Sequence, residues 1–398
     1  MAAAADRRLE RYAELAVRVG ANVAEGQTVF ISSEPAHLLL ARALTRAAYA
    51  AGAAYVDVLY RDPHIRHAMV EYGPDAALAY TPEWLKVRAR EGAGNANIAT
   101  VGDAEPTLFA DLDPERVGRA RMTELAEIAL GQLGEHSVNW TAVACPTAQW
   151  AEQIFGEPDL ERLWDAVAFA VRLDEADPVA AWRGHIRELK GRAEQLNALH
   201  LDAVRYRGPG TDLTVGLLEC SLWRAPEDET VSGITFVPNM PTEEVFTTPD
   251  CRRADGVVAS TRPLALLGDV VEGLTLTLQA GLIVDVKATR GADLVRTQLE
   301  TDEGSARLGE LALVDGTSRV GETGLTFWNT LFDENAACHI AWGAAIPGTV
   351  RDREGDGVNV SSVHTDFMVG SDELEVDGLA ADGRTVPLLR RNAWQLES

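Results

Sequence analysis

The sequence predicts an α/β protein with two domains. The first is an N-terminal doubly wound α/β domain over residues 1–200, and the second is a C-terminal, largely antiparallel β domain with a few helices over residues 201–398. Three observations predict this fold. A chain of 398 residues is too long for one typical core. Strand and helix patterns alternate in the first half, and strands joined by tight turns dominate the second.

Four apolar segments in the first half have the length and composition of strands, and helical patterns lie between or after them. The predicted strands cover residues 28–32, 55–59, 97–101 and 140–144, and the predicted helices cover 35–51, 114–133 and 148–155. Strands and helices that alternate in this way build a doubly wound, mostly parallel sheet. No Walker or G-x-G-x-x-G motif accompanies them, so the pattern does not predict a nucleotide site.

A long amphipathic helix over residues 178–199 predicts a connector, which places the domain boundary near residue 200. The segments after it are typical of strands, at residues 202–206, 213–215, 274–278 and 282–287. The glycine-rich segment 208–216 is interpreted as a turn. Asp-Gly pairs at 377–378 and 382–383 predict two more tight turns.

Composition excludes several classes of partner. The net charge of −25 argues against nucleic acid, because phosphate binding requires clustered Lys and Arg. The apolar stretch 38–58 contains Arg42 and Arg46, so we expect no membrane span, and the N-terminus shows no export signal. The four cysteines form no C-x-x-C pair, which indicates reduced thiols and a cytoplasmic protein; they are Cys145, Cys220, Cys251 and Cys338.

A histidine and an aspartate two residues apart form the sharpest candidate site. In an extended segment, residues i and i+2 point to the same face, so His364 and Asp366 can converge on one cation. Taken alone, an H-x-D pair is usually only a hydrogen-bonded pair. Among the eight histidines, His339 is the other one beyond residue 200. It follows an acidic pair and an amide, Asp333-Glu334-Asn335. A helix cap formed by Asp333 or Asn335 explains this segment as well as a metal site does.

Two further carboxylate segments extend this candidate set. Glu310 lies in an apolar strand after a glycine, and a buried carboxylate is costly unless it is paired or bound to metal. The alternative interpretation is that Glu310 lies at an exposed strand end. Glu243 and Glu244 lie in an apolar loop, where adjacent side chains face opposite ways and can serve different roles. A solvated acidic turn explains this pair equally well. The acidic segment 352–357 lacks the ligand pattern of an EF-hand, so calcium is not expected there.

Four ordered motifs resemble those of the M29 metallo-aminopeptidases, the thermophilic-aminopeptidase or aminopeptidase T group. The motifs are Asn-Met-Pro-Thr-Glu-Glu-Val-Phe-Thr-Thr-Pro at 239–249, Leu-Gly-Glu-Leu-Ala-Leu-Val at 308–314, Thr-Leu-Phe-Asp-Glu-Asn-Ala-Ala-Cys-His at 330–339 and Ser-Ser-Val-His-Thr-Asp-Phe-Met-Val-Gly-Ser at 361–371. The similarity reaches into the N-terminal half as well, at 26–29 and 140–141. It therefore covers nearly the whole chain.

The resemblance implies a cytoplasmic peptide hydrolase that acts on N-terminal residues through two divalent ions of zinc, cobalt or manganese. Glu243 is the candidate general base. A homodimer with peptide substrates, and no nucleic acid or membrane partner, is also implied. The metal ligands implied are Glu244, Glu310, Glu334, His339, His364 and Asp366.

Two departures from the family pattern affect the expected chemistry. One is a segment up to Asn359 that is shorter than usual, and the other is a missing tyrosine. The family places a tyrosine seven residues after the motif histidine, and this chain has Ile346 there. Trp342 offers an N–H but no acidic hydroxyl. Two alternatives therefore stay open at this point: a mononuclear iron dioxygenase of the dihydroxypyridine ring-cleaving type from the same superfamily, and a metal-binding protein without catalysis.

Overall fold

The computed structural model of the chain describes residues 2–102, 105, 108–109, 111–266, 269–351 and 356–396. It forms two compact units. The first contains Met1–Gly184 and Glu227–Met240, and the second contains His185–Pro226 and Pro241–Ser398. The predicted domain boundary near residue 200 lies just after the helix Pro178–Ala198, and the two units divide inside this helix, between Gly184 and His185. The boundary stays a prediction.

The α-helices are concentrated in the first 200 residues, as predicted. In chain order they are α1 (Ala2–Leu15), α2 (Leu38–Ala50), α3 (Pro63–Tyr72), α4 (Asp75–Leu78), α5 (Glu83–Arg90), α6 (Pro114–Arg119), α7 (Thr123–Gly134), α8 (Ala148–Phe155), α9 (Leu160–Ala170), α10 (Pro178–Ala198), α11 (Ala292–Leu299), α12 (Arg319–Glu322) and α13 (Thr330–Asp333). Short 3-10 turns precede α2 at Pro35–His37 and follow α13 at Glu334–Ala336.

The strands become dense after residue 200. In chain order they are β1 (Thr28–Ser33), β2 (Tyr55–Tyr60), β3 (Ala96–Val101), β4 (Asn139–Ala144), β5 (Leu201–Gly208), β6 (Thr211–Leu217), β7 (Asp228–Glu229), β8 (Thr235–Phe236), β9 (Asn239–Met240), β10 (Val245–Thr247), β11 (Pro249–Ala259), β12 (Leu264–Leu266), β13 (Asp269–Val271), β14 (Thr275–Gln279), β15 (Leu282–Lys287), β16 (Leu308–Leu313), β17 (His339–Gly343), β18 (His364–Met368), β19 (Glu375–Ala380), β20 (Thr385–Arg390) and β21 (Ala393–Trp394).

The first unit is built on a parallel sheet with the strand order β2-β1-β3-β4-β9. Alternate residues of β1 and β3 are buried, because successive side chains in a strand face opposite sides of the sheet. Helix starts are set by side-chain caps: Asp62 accepts a hydrogen bond from the backbone of His64, and Thr147 accepts one from the backbone of Trp150. The doubly wound prediction is confirmed.

The single helix predicted over residues 114–133 is wrong, since the chain forms α6 and α7 with a break at 120–122. Ala120 is buried with Val70 and Leu78 in a small apolar cluster. Its carbonyl accepts a hydrogen bond from the guanidinium of Arg66 at 3.2 Å. The burial of Ala120 and this long-range hydrogen bond favour a break here, whereas periodicity alone predicts continuous helical hydrogen bonds.

The second unit contains two antiparallel sheets of four or more strands, besides the two-stranded sheet of β12 and β13. The larger has the order β15-β14-β11-β6-β5-β19-β20-β21, and the smaller has the order β10-β16-β17-β18. One hydrophobic cluster includes Leu213 and Leu276 of the larger sheet and Leu311, Ile340 and Phe367 of the smaller. Every residue of β16 and of β17 is buried. The largely antiparallel C-terminal architecture is as predicted.

The tight turn predicted at Asp377-Gly378 is wrong, because both residues lie inside β19. The reason is packing. A side chain at Gly378 would meet Leu201 of the neighbouring strand at 2.6 Å, so the glycine serves close strand contact here and not a turn. The second pair behaves as predicted: Gly383 has a φ of 86° in the turn between β19 and β20.

Among the described residues, no helix is long and apolar enough to cross a membrane. Most of the acidic segment 352–357, where calcium was not expected, lies outside the described residues.

Helix α10 offers a direct test of the fold through its glycine. Nothing lies within 4 Å of a side-chain carbon added at Gly191. We expect Gly191→Ala to raise the free energy of unfolding in urea by about 1 kcal/mol, because alanine has the higher helix propensity.

The matched control is Gly256→Ala in β11, where φ is 132° and the added carbon would lie 2.1 Å from the carbonyl oxygen of Asp212. We expect this variant to be destabilised. A loss of stability in Gly191→Ala would contradict the described surroundings of α10.

Candidate metal centre

Three neighbouring strands of the smaller sheet present the candidate ligands on one face. Glu310 of β16 lies opposite Ala341 of β17, which in turn lies opposite Asp366 of β18. Directly opposed residues share a face of an antiparallel sheet, and so do residues two apart along a strand. His339 and His364 therefore join the same face. The small side chain of Ala341 leaves room between the two carboxylates.

Within this face the ligand atoms form two groups of three. Glu244, Glu310 and His339 form one group, and Glu310, His364 and Asp366 form the other, with ligand atoms within 4.8 Å of one another in each. Glu310 belongs to both groups. A carboxylate has two oxygens with several lone pairs, so one side chain can serve two cations.

Distances within each group are short. Nε2 of His339 lies 3.0 Å from Oε2 of Glu244. Nε2 of His364 lies 3.1 Å from Oε2 of Glu310 and 3.4 Å from Oδ1 of Asp366. Both imidazoles thus direct Nε2 at carboxylates.

Backbone carbonyls orient the two imidazole rings. Nδ1 of His364 lies 2.9 Å from the carbonyl oxygen of Ala344, and Nδ1 of His339 lies 3.3 Å from that of Ala337. A carbonyl oxygen can only accept, so Nδ1 carries the donated proton in both rings. This leaves Nε2 to act as the metal-binding atom, the usual arrangement for a histidine ligand.

Glu334 approaches the same face from the 3-10 turn Glu334–Ala336. It lies outside the two groups of three, but its carboxylate interacts electrostatically with Asp366 and Glu244. Burial and these two neighbouring carboxylates raise the pKa of Glu334 well above its usual value. The turn therefore adds a fourth acidic group to a crowded site.

The electrostatics of the site show an excess of negative charge. Burial raises the pKa of Glu310, and the carboxylate of Asp366 adds to this effect. Burial alone would lower the pKa of His339, but Glu244, Asp366 and Glu310 raise it to about 10. Burial likewise opposes the charge of His364, and Asp366 and Glu310 raise its pKa well above the usual value. The carboxylates thus favour positive charge on whatever group lies among them.

Two buried oxygens test whether a metal ion fits this cluster. Oε2 of Glu244 and Oδ1 of Asp366 are buried and accept no hydrogen bond from the described residues. Buried polar atoms are normally satisfied, and an unsatisfied carboxylate oxygen is costly. A set of carboxylate oxygens and imidazole nitrogens suits zinc, cobalt or manganese. The residues present therefore fit divalent cations.

Glu243 belongs to neither group of three. Its Oε2 lies 3.4 Å from Nε2 of His185, and its backbone N–H donates to Oδ1 of Asn335 at 2.7 Å. Glu244, the next residue, faces His339. The two adjacent glutamates therefore have separate partners, as their sequence position predicted.

Asn335 was assigned only a possible helix cap from sequence, and the structure shows a different role. Its side chain is completely buried, with no side-chain hydrogen bond to the start of a helix. Besides accepting from Glu243, it donates from Nδ2 to the carbonyl of Leu331 at 3.0 Å. It thus joins the 3-10 turn that bears Glu334 to the loop that bears Glu243 and Glu244. The sequence has no local signal for this contact.

Asp302 is a second residue that sequence reasoning missed. Its carboxylate accepts hydrogen bonds from the backbone N–H and hydroxyl of Ser362, both at 2.7 Å, and from the hydroxyl of Ser361 at 2.9 Å. The backbone bond from Ser362 lowers the pKa of Asp302, and the hydroxyl bonds add to the shift. Asp302 therefore fixes the segment that leads into His364.

The position of the missing tyrosine is filled without a hydroxyl. The backbone N–H of Ile346 donates to Thr248, and its carbonyl accepts from Thr349. Trp342, the other donor considered from sequence, is completely buried, and its Nε1 donates to Oε1 of Gln298 at 2.9 Å. The N–H of the Trp342 indole is therefore engaged in a buried hydrogen bond.

Comparison with known proteins gives consistent results over the full length. The family model described as thermophilic metalloprotease (M29) matches residues 5–394. Aminopeptidase T of Thermus thermophilus is 42% identical over 404 residues, with 98% of each chain covered. Aminopeptidase 2 of Geobacillus stearothermophilus is 36% identical over 409 residues, again with 98% of each chain covered. The solved structure of wild-type AmpT from Thermus thermophilus matches with a TM-score of 0.92 and 40% identity, covering 98% of this chain and 99% of that one.

Gly309 lies against the backbone carbonyl that orients the imidazole of His364. A side-chain carbon there would lie 2.2 Å from the carbonyl oxygen of Ala344, the atom that accepts from His364. We expect Gly309→Ala to displace this carbonyl and turn the imidazole, lowering metal affinity by roughly 10- to 100-fold. Calorimetric titration of zinc into chelator-treated protein measures this. Gly191→Ala is the matched control, and equal affinities in a folded Gly309→Ala protein would contradict the proposed link.

Proposed function

This chain belongs to the thermophilic metalloprotease family M29, and on this premise we propose that it is a metallo-aminopeptidase that hydrolyses N-terminal residues from peptides with a water activated by two divalent metal ions. The relatives that match over nearly the whole chain are named aminopeptidases. The observation that carries the two-metal part is the pair of three-ligand groups that share Glu310.

Charge balance supports two ions in preference to one. Glu244, Glu310, Glu334 and Asp366 place four carboxylates in one region. Burial and the neighbouring carboxylates raise the pKa of Glu310 and of Glu334. With neutral histidines, two divalent cations would offset this formal charge, whereas one would leave half of it uncompensated.

The proposed ligand set assigns each ion a group. Glu244 and His339 would hold one ion, His364 and Asp366 would hold the other, and Glu310 would bridge them. Glu334 completes the set from its turn. Two such ions would lower the pKa of a water and polarise the carbonyl of the scissile bond.

Glu243 supplies the proton transfer in this proposal. Its carboxylate would accept the proton of the attacking water and deliver it to the leaving amine. Two features support the assignment: Glu243 adjoins a proposed ligand in sequence, and its carboxylate lies beside His185 and belongs to neither ligand group. A base held beside the ions, but not bound to them, keeps its lone pairs for the proton.

The two alternatives are less well supported. The ring-cleaving dioxygenase is not favoured, because the matching relatives are named aminopeptidases. The interpretation as a metal-binding protein without catalysis does not explain why the buried Glu243 lies next to the proposed ligand Glu244 in the sequence. The choice among zinc, cobalt and manganese, the homodimer and the cytoplasmic location stay predictions.

Metal removal and ligand replacement test the centre. We expect the purified protein to bind two divalent ions per chain and to lose hydrolysis of aminoacyl anilides with chelator. Zinc, cobalt or manganese should restore it. Glu310→Gln should bind at most one ion, since both groups lose a ligand. Glu303→Gln, an exposed carboxylate in the same unit, is the control and should keep both. One ion per wild-type chain, with oxygen consumed on an aromatic substrate, would refute the proposal.

The adjacent glutamates provide a matched test of the base. We expect Glu243→Gln to keep two ions and to lower kcat by roughly 100-fold or more, because general-base catalysis contributes about that much. Glu244→Gln should instead lose metal. Metal analysis and kcat on an aminoacyl anilide separate the two. Full turnover by Glu243→Gln would place the base elsewhere.

A further inference from the structure

We infer that His185 is a positioning residue that fixes the carboxylate of Glu243 for proton transfer. The inference rests on the proposed function, because it assigns His185 a role through the proposed base. Nothing in the sequence motifs points to His185, which lies in α10, far in sequence from Glu243.

His185 forms a hydrogen bond with the backbone of the loop that contains Glu243. Nε2 of His185 lies 2.9 Å from the carbonyl oxygen of Thr242, the residue before Glu243. A carbonyl oxygen only accepts, so Nε2 must carry the proton. The same nitrogen lies 3.4 Å from Oε2 of Glu243. The nitrogen that donates to the backbone of this loop therefore also lies beside the carboxylate of Glu243.

Burial makes this contact significant. The side chain of Glu243 is 4% exposed and that of His185 is 11% exposed. A carboxylate with so little access to water depends on nearby donors for its orientation. The imidazole of His185 is a polar group within 3.4 Å of this carboxylate.

The loop is also fixed from a second side. The backbone N–H of Glu243 donates to Oδ1 of the buried Asn335 at 2.7 Å. Asn335 thus fixes the backbone at Glu243, while His185 fixes the carbonyl one residue earlier and faces the side chain. With both contacts, the glutamate has little freedom to rotate away from the proton it transfers.

His185 is distinct from the two ligand histidines. Nε2 of His339 and of His364 faces the carboxylates of the ligand cluster, with Nδ1 donating to the backbone. In His185 it is Nε2 that donates to a backbone carbonyl. A nitrogen that carries a proton cannot ligate a cation, so His185 acts on Glu243 and not on a metal through this atom.

A role through Glu243 has a specific kinetic signature. Loss of His185 should lower kcat, because a misplaced base slows proton transfer. KM and the number of bound ions should change little. Once Glu243 can no longer accept a proton, removing His185 should have no further effect on kcat.

The test is a double-mutant cycle with the metal-loaded enzyme on an aminoacyl anilide. The four proteins are wild type, His185→Ala, Glu243→Gln and the double variant. We expect His185→Ala to lower kcat by roughly 10- to 100-fold with two ions retained. In the Glu243→Gln background the same change should alter kcat by less than about twofold, since coupled residues are non-additive.

Two further variants separate positioning from folding. His185→Gln keeps an N–H donor at the end of a side chain of similar reach, and we expect it to recover most of the lost kcat. His64→Ala is the matched control, because His64 also lies next to a glutamate, at 2.9 Å from Glu105, but in the other unit and exposed. It should keep wild-type kcat.

The outcomes are distinguishable. Equal losses in the wild-type and Glu243→Gln backgrounds would overturn the positioning role, as would unchanged kcat in His185→Ala. Loss of metal or of folding in His185→Ala, without recovery in His185→Gln, would overturn it too. If Glu243→Gln itself kept full turnover, the assignment of Glu243 as the base would be wrong. This result comes from the single variant Glu243→Gln and does not depend on His185→Ala.

Discussion

Mutual repulsion among buried carboxylates is the constraint on which this site depends. Burial and the nearby carboxylates of Glu244 and Asp366 raise the pKa of Glu310 and of Glu334. Such an arrangement is costly unless positive charge lies among the carboxylates. The raised pKa of both histidines shows how strongly the site favours it. The fold therefore keeps together groups that would separate if the chain were free to move.

The smaller sheet provides this restraint. Its strands are almost completely buried, and the hydrophobic cluster behind them prevents Glu310 and Asp366 from moving apart. Residues without large side chains, such as Ala341 and Gly309, allow the strands and loops to approach closely on this face. Apolar packing on one side of the sheet thus supports concentrated charge on the other.

Local sequence rules predicted much of this arrangement, and tertiary contacts account for the rest. The i and i+2 relation placed His364 and Asp366 on one face, and both lie there in β18. Helical periodicity failed to predict the break between α6 and α7 at Ala120. There the carbonyl accepts a hydrogen bond from Arg66, which lies far away in the sequence. The contacts of Asn335, Asp302 and His185 join segments far apart in the chain. No local pattern encodes such contacts, because the same residue types serve caps and exposed helix faces equally well.

Asn335 connects the segment of the proposed base with the turn of the proposed ligand Glu334. This one buried amide contacts the loop of Glu243 and the carbonyl of Leu331, and it lies beside Glu334. If the ions leave, repulsion acts on Glu334, and its turn contains Asn335. Movement of that turn would release the backbone of Glu243 as well. Under the proposed roles, demetallation would disorder the base together with the metal ligands, and ion binding would restore both in one cooperative step.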